Sequence, residues 1–309
     1  MAVGGNVLAP GEACGRDGLT FTRRHAGREG RVPSLFLSAC RAGPRGLCHP
    51  GARQVDCLRT SEPIFNVPTV VTATIAVLVI IHALRTWVLT PEQDIQLLLL
   101  FSFIPARYDA TVLAQGAVPG GLGAEIWTFV TYALIHGDWT HLGLNSVWLL
   151  AFGTPVARRF GAARYLAFFA VTSAAGAAAH LATHSNAFVP MVGASASISG
   201  FMAAAMRFAF QRSGPLGLLG RDDAAYRVPA LPLTAVLRDP RVLAFLGVWF
   251  ALNLLFGIGS LSLDGGEQAI AWQAHIGGFL AGLLAFPLFD PVKAQPAGAA
   301  SEPDQPTLH

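Results

Sequence analysis

The stretch Val192-Gly193-Ala194-Ser195-Ala196-Ser197-Ile198-Ser199-Gly200, followed by the apolar Phe201 to Ala205, carries hydroxyl groups into a run that is otherwise small or apolar. A second stretch, Ala274-His275-Ile276-Gly277-Gly278-Phe279-Leu280-Ala281-Gly282, does the same with an imidazole. A charged side chain at membrane depth costs ~2.5–3.5 kcal/mol on insertion scales, and ionisable or polar groups there mark function by default. Ser195 and His275 together supply a nucleophile and a base.

Both stretches sit in a chain made for lipid. Of its 309 residues 53% are hydrophobic and 13% charged, and the mean hydropathy is +0.49. That is too apolar for a soluble domain of this size and predicts a polytopic membrane protein. The formal charge of +3, with Lys293 the single lysine, gives no basis for nucleic-acid binding.

A spanning helix needs about 20 apolar residues, and short ones about 17. On that template six spans read at 68–89, 138–157, 165–183, 192–210, 241–259 and 268–289. They lack the period-2 alternation of barrel strands, so helices are the structure that satisfies their backbone groups in lipid. Leu97 to Ala106 is apolar but too short to cross, and suits an interfacial or re-entrant piece of the long first loop.

Basic residues set the orientation, because Lys and Arg accumulate on the cytoplasmic side of short loops. Nine Arg precede the first span, Arg158, Arg159 and Arg164 lie between the second and third, and six Arg from Arg207 to Arg241 flank the loop between the fourth and fifth. The other side holds Arg85 and Arg107 beside Glu92, Asp94, Asp109, Glu125, Asp264 and Glu267. Both termini are therefore expected in the cytoplasm. Spans two, four and six then run in one direction, and Ser195 and His275 fall at a matched depth of ~5–10 Å below the outer surface at ~1.5 Å per residue. His141 and Asn145, four apart in span two, share a helix face at the same level.

Residues 1–61 and 290–309 have the Gly-, Arg-, Pro- and Ala-rich composition of disordered tails around a transmembrane domain at 62–289. A true start near Ser61 is the alternative for the first of them. Cys14, Cys40, Cys48 and Cys57 all fall in that tail at irregular spacing, so a metal site is not expected.

The chemistry has bland competitors. Serines are ordinary in the packing of membrane helices, and Ser199 shares the face of Ser195, whereas Ser197 points elsewhere. His275 reads equally as an interhelical hydrogen-bonding residue, and His141 with Asn145 as a polar contact. Gly278 and Gly282, four apart, give span six a smooth face for close approach, which would bring His275 onto Ser195. Attack on an amide would need donors for the oxyanion, and His141, the Asn145 amide and the Ser195 backbone N–H are the candidates.

Gly193-Ala194-Ser195 at the head of span four, Ala274-His275 with Gly278 and Gly282 in span six, and His141-x-x-x-Asn145 in span two together resemble the rhomboid intramembrane serine proteases, over roughly 62–289. The resemblance implies an all-α, six-helix membrane bundle with a partly submerged first loop. It makes Ser195 the nucleophile, His275 the base and then the acid, His141 and Asn145 the oxyanion donors, and His136 a structural or water-holding residue. It implies a dyad, no cofactor and no metal. Two positions depart from the family: Ala196 stands where a Gly usually follows the nucleophile, and Ser199 where an aromatic usually supports the histidine. His275 is then to be held differently, by a hydrogen bond.

An intact substrate helix hides its carbonyls, so the expected partners are single-pass membrane proteins with helix-weakening residues near the outer surface and a small residue before the cut. Lateral entry past span five, with Trp249 and Phe250 as a gate, is the expected route. The competing readings are a silent rhomboid-like protein that binds or moves clients, and a small transporter. The latter lacks its usual mid-span charges, since Arg85, Arg207 and Arg241 lie near span ends. A soluble nucleophile elbow is excluded by Ser197, where that motif needs Gly. The Ala-, Arg-, Gly- and Pro-rich composition points to a bacterial cytoplasmic membrane.

Overall fold

The computed structural model describes residues 67–114, 118–216, 223–258 and 271–292 of the helical part of the chain. By itself stands a two-residue antiparallel ladder that pairs Arg41 with His49 and Ala42 with Cys48. The other expectations for 1–61, and those for 293–309, lie outside the described residues.

Helix α1, Thr69–Trp87, is the first span. The long loop that follows is folded: α2 runs over Pro91–Phe101, a 3-10 turn over Pro105–Tyr108, α3 over Ala110–Ala114 and α4 over Gly121–Thr131. The start of α2 is written in the sequence, because Thr90 and Gln93 form a reciprocal capping box ahead of Pro91. Arg107 is buried, donating to the Pro119 and Leu99 carbonyls, and Tyr108 donates to the Glu125 carbonyl at 2.8 Å. Leu122 and Ile126 on α4 are 77% and 76% exposed, an apolar face that suits contact with lipid. The Leu97–Ala106 segment is not one element. Its first half belongs to α2, and Phe103 is extended and bridges to Met191, the loop that leads into Ser195.

The second span is α5, Trp139–Trp148, and α6, Thr154–Phe160, joined through a π-helical segment at Leu149–Gly153. Pro155 explains the widened turns: it has no N–H for the carbonyl four residues earlier, and its ring crowds that carbonyl. The third span is α7, Ala162–Thr183, and the fourth is α8, Ser195–Met206. A short α9, Leu233–Val236, precedes α10, Pro240–Ile258, and α11, Trp272–Phe289, is the last. Among the described residues α1, α7 and α11 are long and apolar enough to cross a membrane, and α8 contributes a shorter apolar helix, as does most of α10. The architecture is an all-α membrane bundle.

Helix α8 is its centre, buried from Ala196 to Met206. Its neighbours α7 and α11 reach it through small residues. A Cβ on Gly278 would overlap the Ala196 carbonyl, and one on Gly282 would stand 2.5 Å from the Gly200 Cα. A Cβ on Gly200 would meet Thr172 Cγ2 of α7 at 2.5 Å. Helix backbones in lipid gain from such contact because there is no hydrophobic driving force between them.

Matching ends show that α5–α6, α8 and α11 run the same way. His141, Ser195 and His275 gather at one end. At the other, Arg159 forms a bidentate pair with Asp290 at 2.8 Å and lies over the rings of Phe208 and Phe286. Its remaining nitrogen donates to the Tyr226 and Val228 carbonyls, so this buried cation is fully partnered. Asp290 is thus ordered against the bundle, although composition alone assigns it to a tail. With 12 residues, α8 spans about 18 Å, well short of a ~30 Å hydrocarbon layer. Its first residue therefore lies below the membrane surface when its other end sits at the opposite face.

Gly278→Ala and Gly282→Ala should each destabilise the protein by about 1–3 kcal/mol, since the methyl meets backbone that cannot yield. Gly143→Ala and Gly247→Ala, whose sites open on empty space, serve as controls. Thermal unfolding in detergent measures all four, and equal midpoints across the set would refute the close-packing account.

Candidate active site

The site begins with the approach to α8. Phe103 and Met191 exchange backbone hydrogen bonds at 3.1 and 2.8 Å, and Gly193 N–H donates to the Tyr132 carbonyl at 3.0 Å. Tyr132 is fixed in turn by its hydroxyl, which donates to the Ser173 carbonyl of α7 at 2.9 Å. Gly193 has φ +118°, a conformation that L side chains rarely adopt. A Cβ there would also lie 2.7 Å from His141 Nε2, so the backbone passes directly beside the imidazole.

Ser195 is the first residue of α8 and is half-buried. No side chain caps this helix end, so its first backbone N–H groups and the positive end of the helix dipole face the site. His275 lies in the first turn of α11. Its Nε2 is 2.7 Å from Ser195 Oγ.

The other serines are engaged elsewhere. Ser199 Oγ donates to the Ser195 carbonyl at 2.8 Å. Ser197 is turned toward α7, 2.5 Å from Ser173 Oγ and 3.1 Å from the Phe169 carbonyl. The Ala196 methyl also points at α7: a Cβ on Gly176 would come within 2.5 Å of it. Gly176 thus makes the room that this departure from the family pattern needs, on the side of the helix facing α7.

Asp138 caps α5 by accepting from His141 N–H at 2.8 Å, which sets the helix start three residues before His141. His141 Nδ1 accepts a long, 3.5 Å contact from Gly137 N–H, and Nε2 lies on the side of Gly193. Asn145 is 5% exposed. Its Nδ2 donates back to the His141 carbonyl at 3.1 Å and keeps a second hydrogen for another acceptor. His136 packs edge-on against His141, with ring centroids 5.1 Å apart. Both its ring nitrogens are buried without a protein partner among the described residues, and its carbonyl accepts from Arg85 at 2.7 Å. Burial, helped by the charges of His141, His82 and Arg85, pushes its pKa down to about 3, so the ring is neutral.

Two residues absent from the sequence reading complete the site: the Asp138 cap, and Asn253 of α10, whose Oδ1 is 2.5 Å from His275 Nδ1. Asn253 had a signal, a lone amide between Val242 and Ile258. The expected gate pair is split. Trp249 stacks on Phe279 of α11 with centroids 5.1 Å apart, while Phe250 points outward and is 49% exposed, because adjacent helix residues face about 100° apart.

The family model of the Rhomboid domain matches residues 123–290. No curated protein matches the chain. The match covers more than half of the chain and runs from α4 past the end of α11, taking in the segments that carry His141, Ser195 and His275: the chain belongs to the rhomboid family, as a multi-pass membrane protein.

Proposed function

We propose that this protein is an intramembrane serine endopeptidase that cuts single-pass membrane proteins near the outer face of the bilayer. The reading rests on the 2.7 Å contact between Ser195 Oγ and His275 Nε2, two polar groups from separate helices at membrane depth. Ser195 Oγ attacks the scissile carbonyl carbon as its proton passes to His275 Nε2, and the carbonyl π electrons move onto the oxygen. The Ser195 backbone N–H, His141 Nε2–H and the free hydrogen of Asn145 Nδ2 are the donors for that oxyanion. Collapse expels the amine, which takes the proton from His275. Water, deprotonated by the same nitrogen, then releases the acyl group and restores Ser195.

The remaining assignments belong to this reading. Gly278 and Gly282 let α11 carry His275 up to Ser195, and neutral His136 holds water beside His141. Substrates enter laterally past α10 and unwind to expose the bond, so helix-weakening sequences are favoured. We assign the protein to a bacterial cytoplasmic membrane with both termini inside, and its catalytic domain to 62–289.

Cleavage of a single-span reporter by the purified protein should vanish in Ser195→Ala and persist in Ser199→Ala. Undiminished cleavage in Ser195→Ala would overturn the reading, and no cleavage by the wild type would favour a rhomboid-like protein that binds clients without cutting. Asn145→Ala should lower kcat by about 10²–10³, the usual loss of one oxyanion donor. A change confined to KM would remove Asn145 from that role.

A further inference from the structure

Asn253 is buried on α10 in an otherwise apolar stretch, and two hydrogen bonds fix which way its amide points. Its Nδ2 donates to the Trp249 carbonyl at 2.8 Å, one turn back, and Oδ1 faces His275 Nδ1 at 2.5 Å. The flipped amide would set two oxygens against each other at Trp249, so the network itself selects this orientation. Oδ1 only accepts, and the proton of a neutral His275 must therefore sit on Nδ1. That leaves the Nε2 lone pair for the Ser195 hydroxyl, 2.7 Å away.

We propose that Asn253 is the positioning residue of the site, holding His275 in the Nδ1–H tautomer so that Ser195, His275 and Asn253 work as a three-member array; this rests on the peptidase reading above. No other side chain does this job among the described residues. The Ser199 hydroxyl is committed to the Ser195 carbonyl, and the two ring nitrogens of His275 meet Ser195 and Asn253. When His275 takes the proton from Ser195, the Asn253 carbonyl dipole also faces the new imidazolium. The bond joins α10 to α11, so the orientation of the base depends on where α10 sits.

The test uses the full chain in proteoliposomes, with kcat and KM on a transmembrane reporter and nitrogen-15 spectra of the His275 ring. Asn253→Leu removes the acceptor and keeps a side chain of similar size at this buried position, and Asn253→Asp restores an acceptor at the same place. The expected result for Asn253→Leu is a kcat lower by about 10–100-fold, as for a misplaced catalytic group, with KM little changed and the single Nδ1–H tautomer replaced by a mixture. Asn253→Asp should recover most of the kcat and the Nδ1–H signal. An unaltered tautomer in Asn253→Leu would overturn the proposal whatever the activity, and so would equal loss of kcat in both variants with that tautomer retained. The tautomer can be read without turnover, so a failure of the peptidase reading, seen as cleavage that survives Ser195→Ala, remains distinguishable.

Discussion

The backbone contact between α8 and α11 is the constraint on which the rest of the molecule depends. Gly278 lies against Ala196 and Gly282 against Gly200, with no room for a side chain at either glycine. Two helices that approach so closely bring the first turns of both into register, and Ser195 meets His275 as a consequence. In lipid this proximity must come from packing, because apolar side chains gain nothing by leaving one hydrocarbon surroundings for another. The small residues are therefore as much a part of the site as the polar ones. Helix α7 repeats the arrangement on the other side, where Gly176 receives the Ala196 methyl and Thr172 covers Gly200.

Most of the polar groups that join these helices are paired, with the ring nitrogens of His136 among the exceptions, and the way they are paired divides the bundle into two ends. At one end Arg159, Asp290 and the Tyr226 and Val228 carbonyls form a clamp in which the charges neutralise each other. That clamp joins α6 to the end of α11 and to the segment that carries Tyr226 and Val228. At the other end Arg85 pairs with Asp94 and with the His136 carbonyl, which anchors the folded first loop beside the site. Near that end α8, α10 and α11 are joined by the Ser195–His275 and His275–Asn253 contacts. An arrangement that leaves a base facing a hydroxyl in apolar surroundings is suited to proton transfer, since little solvent must be reorganised.

Ser195 and Ser199 illustrate how far a helical face can be read. Four residues apart, they point the same way, and spacing alone treats them as equals. They differ because Ser195 begins the helix, where no preceding turn offers a carbonyl, whereas Ser199 finds the Ser195 carbonyl one turn back. Ala196 is a similar case. Its position next to Ser195 raises the question of crowding at the candidate site, and its direction, toward Gly176, is a matter of how α7 and α8 are rotated.

The sequence by itself determined that the chain is a membrane protein, roughly where its helices run, and which polar residues stand in apolar surroundings, because hydropathy, capping and the cost of buried polar groups are local properties. The caps at Thr90 and Asp138 and the proline that widens the second span are equally local signals, although they were recognised only in the structure. Tertiary structure alone decided which of those polar residues touch. Asn253 and His275 are 22 positions apart, and Ser195 and His275 are 80 apart. Nothing in either segment fixes the rotation of its helix about its own axis. That rotation is set where glycines let one backbone settle against another, and with it the choice of Ser195 over Ser199, the separation of Trp249 from Phe250, and the partner of the imidazole.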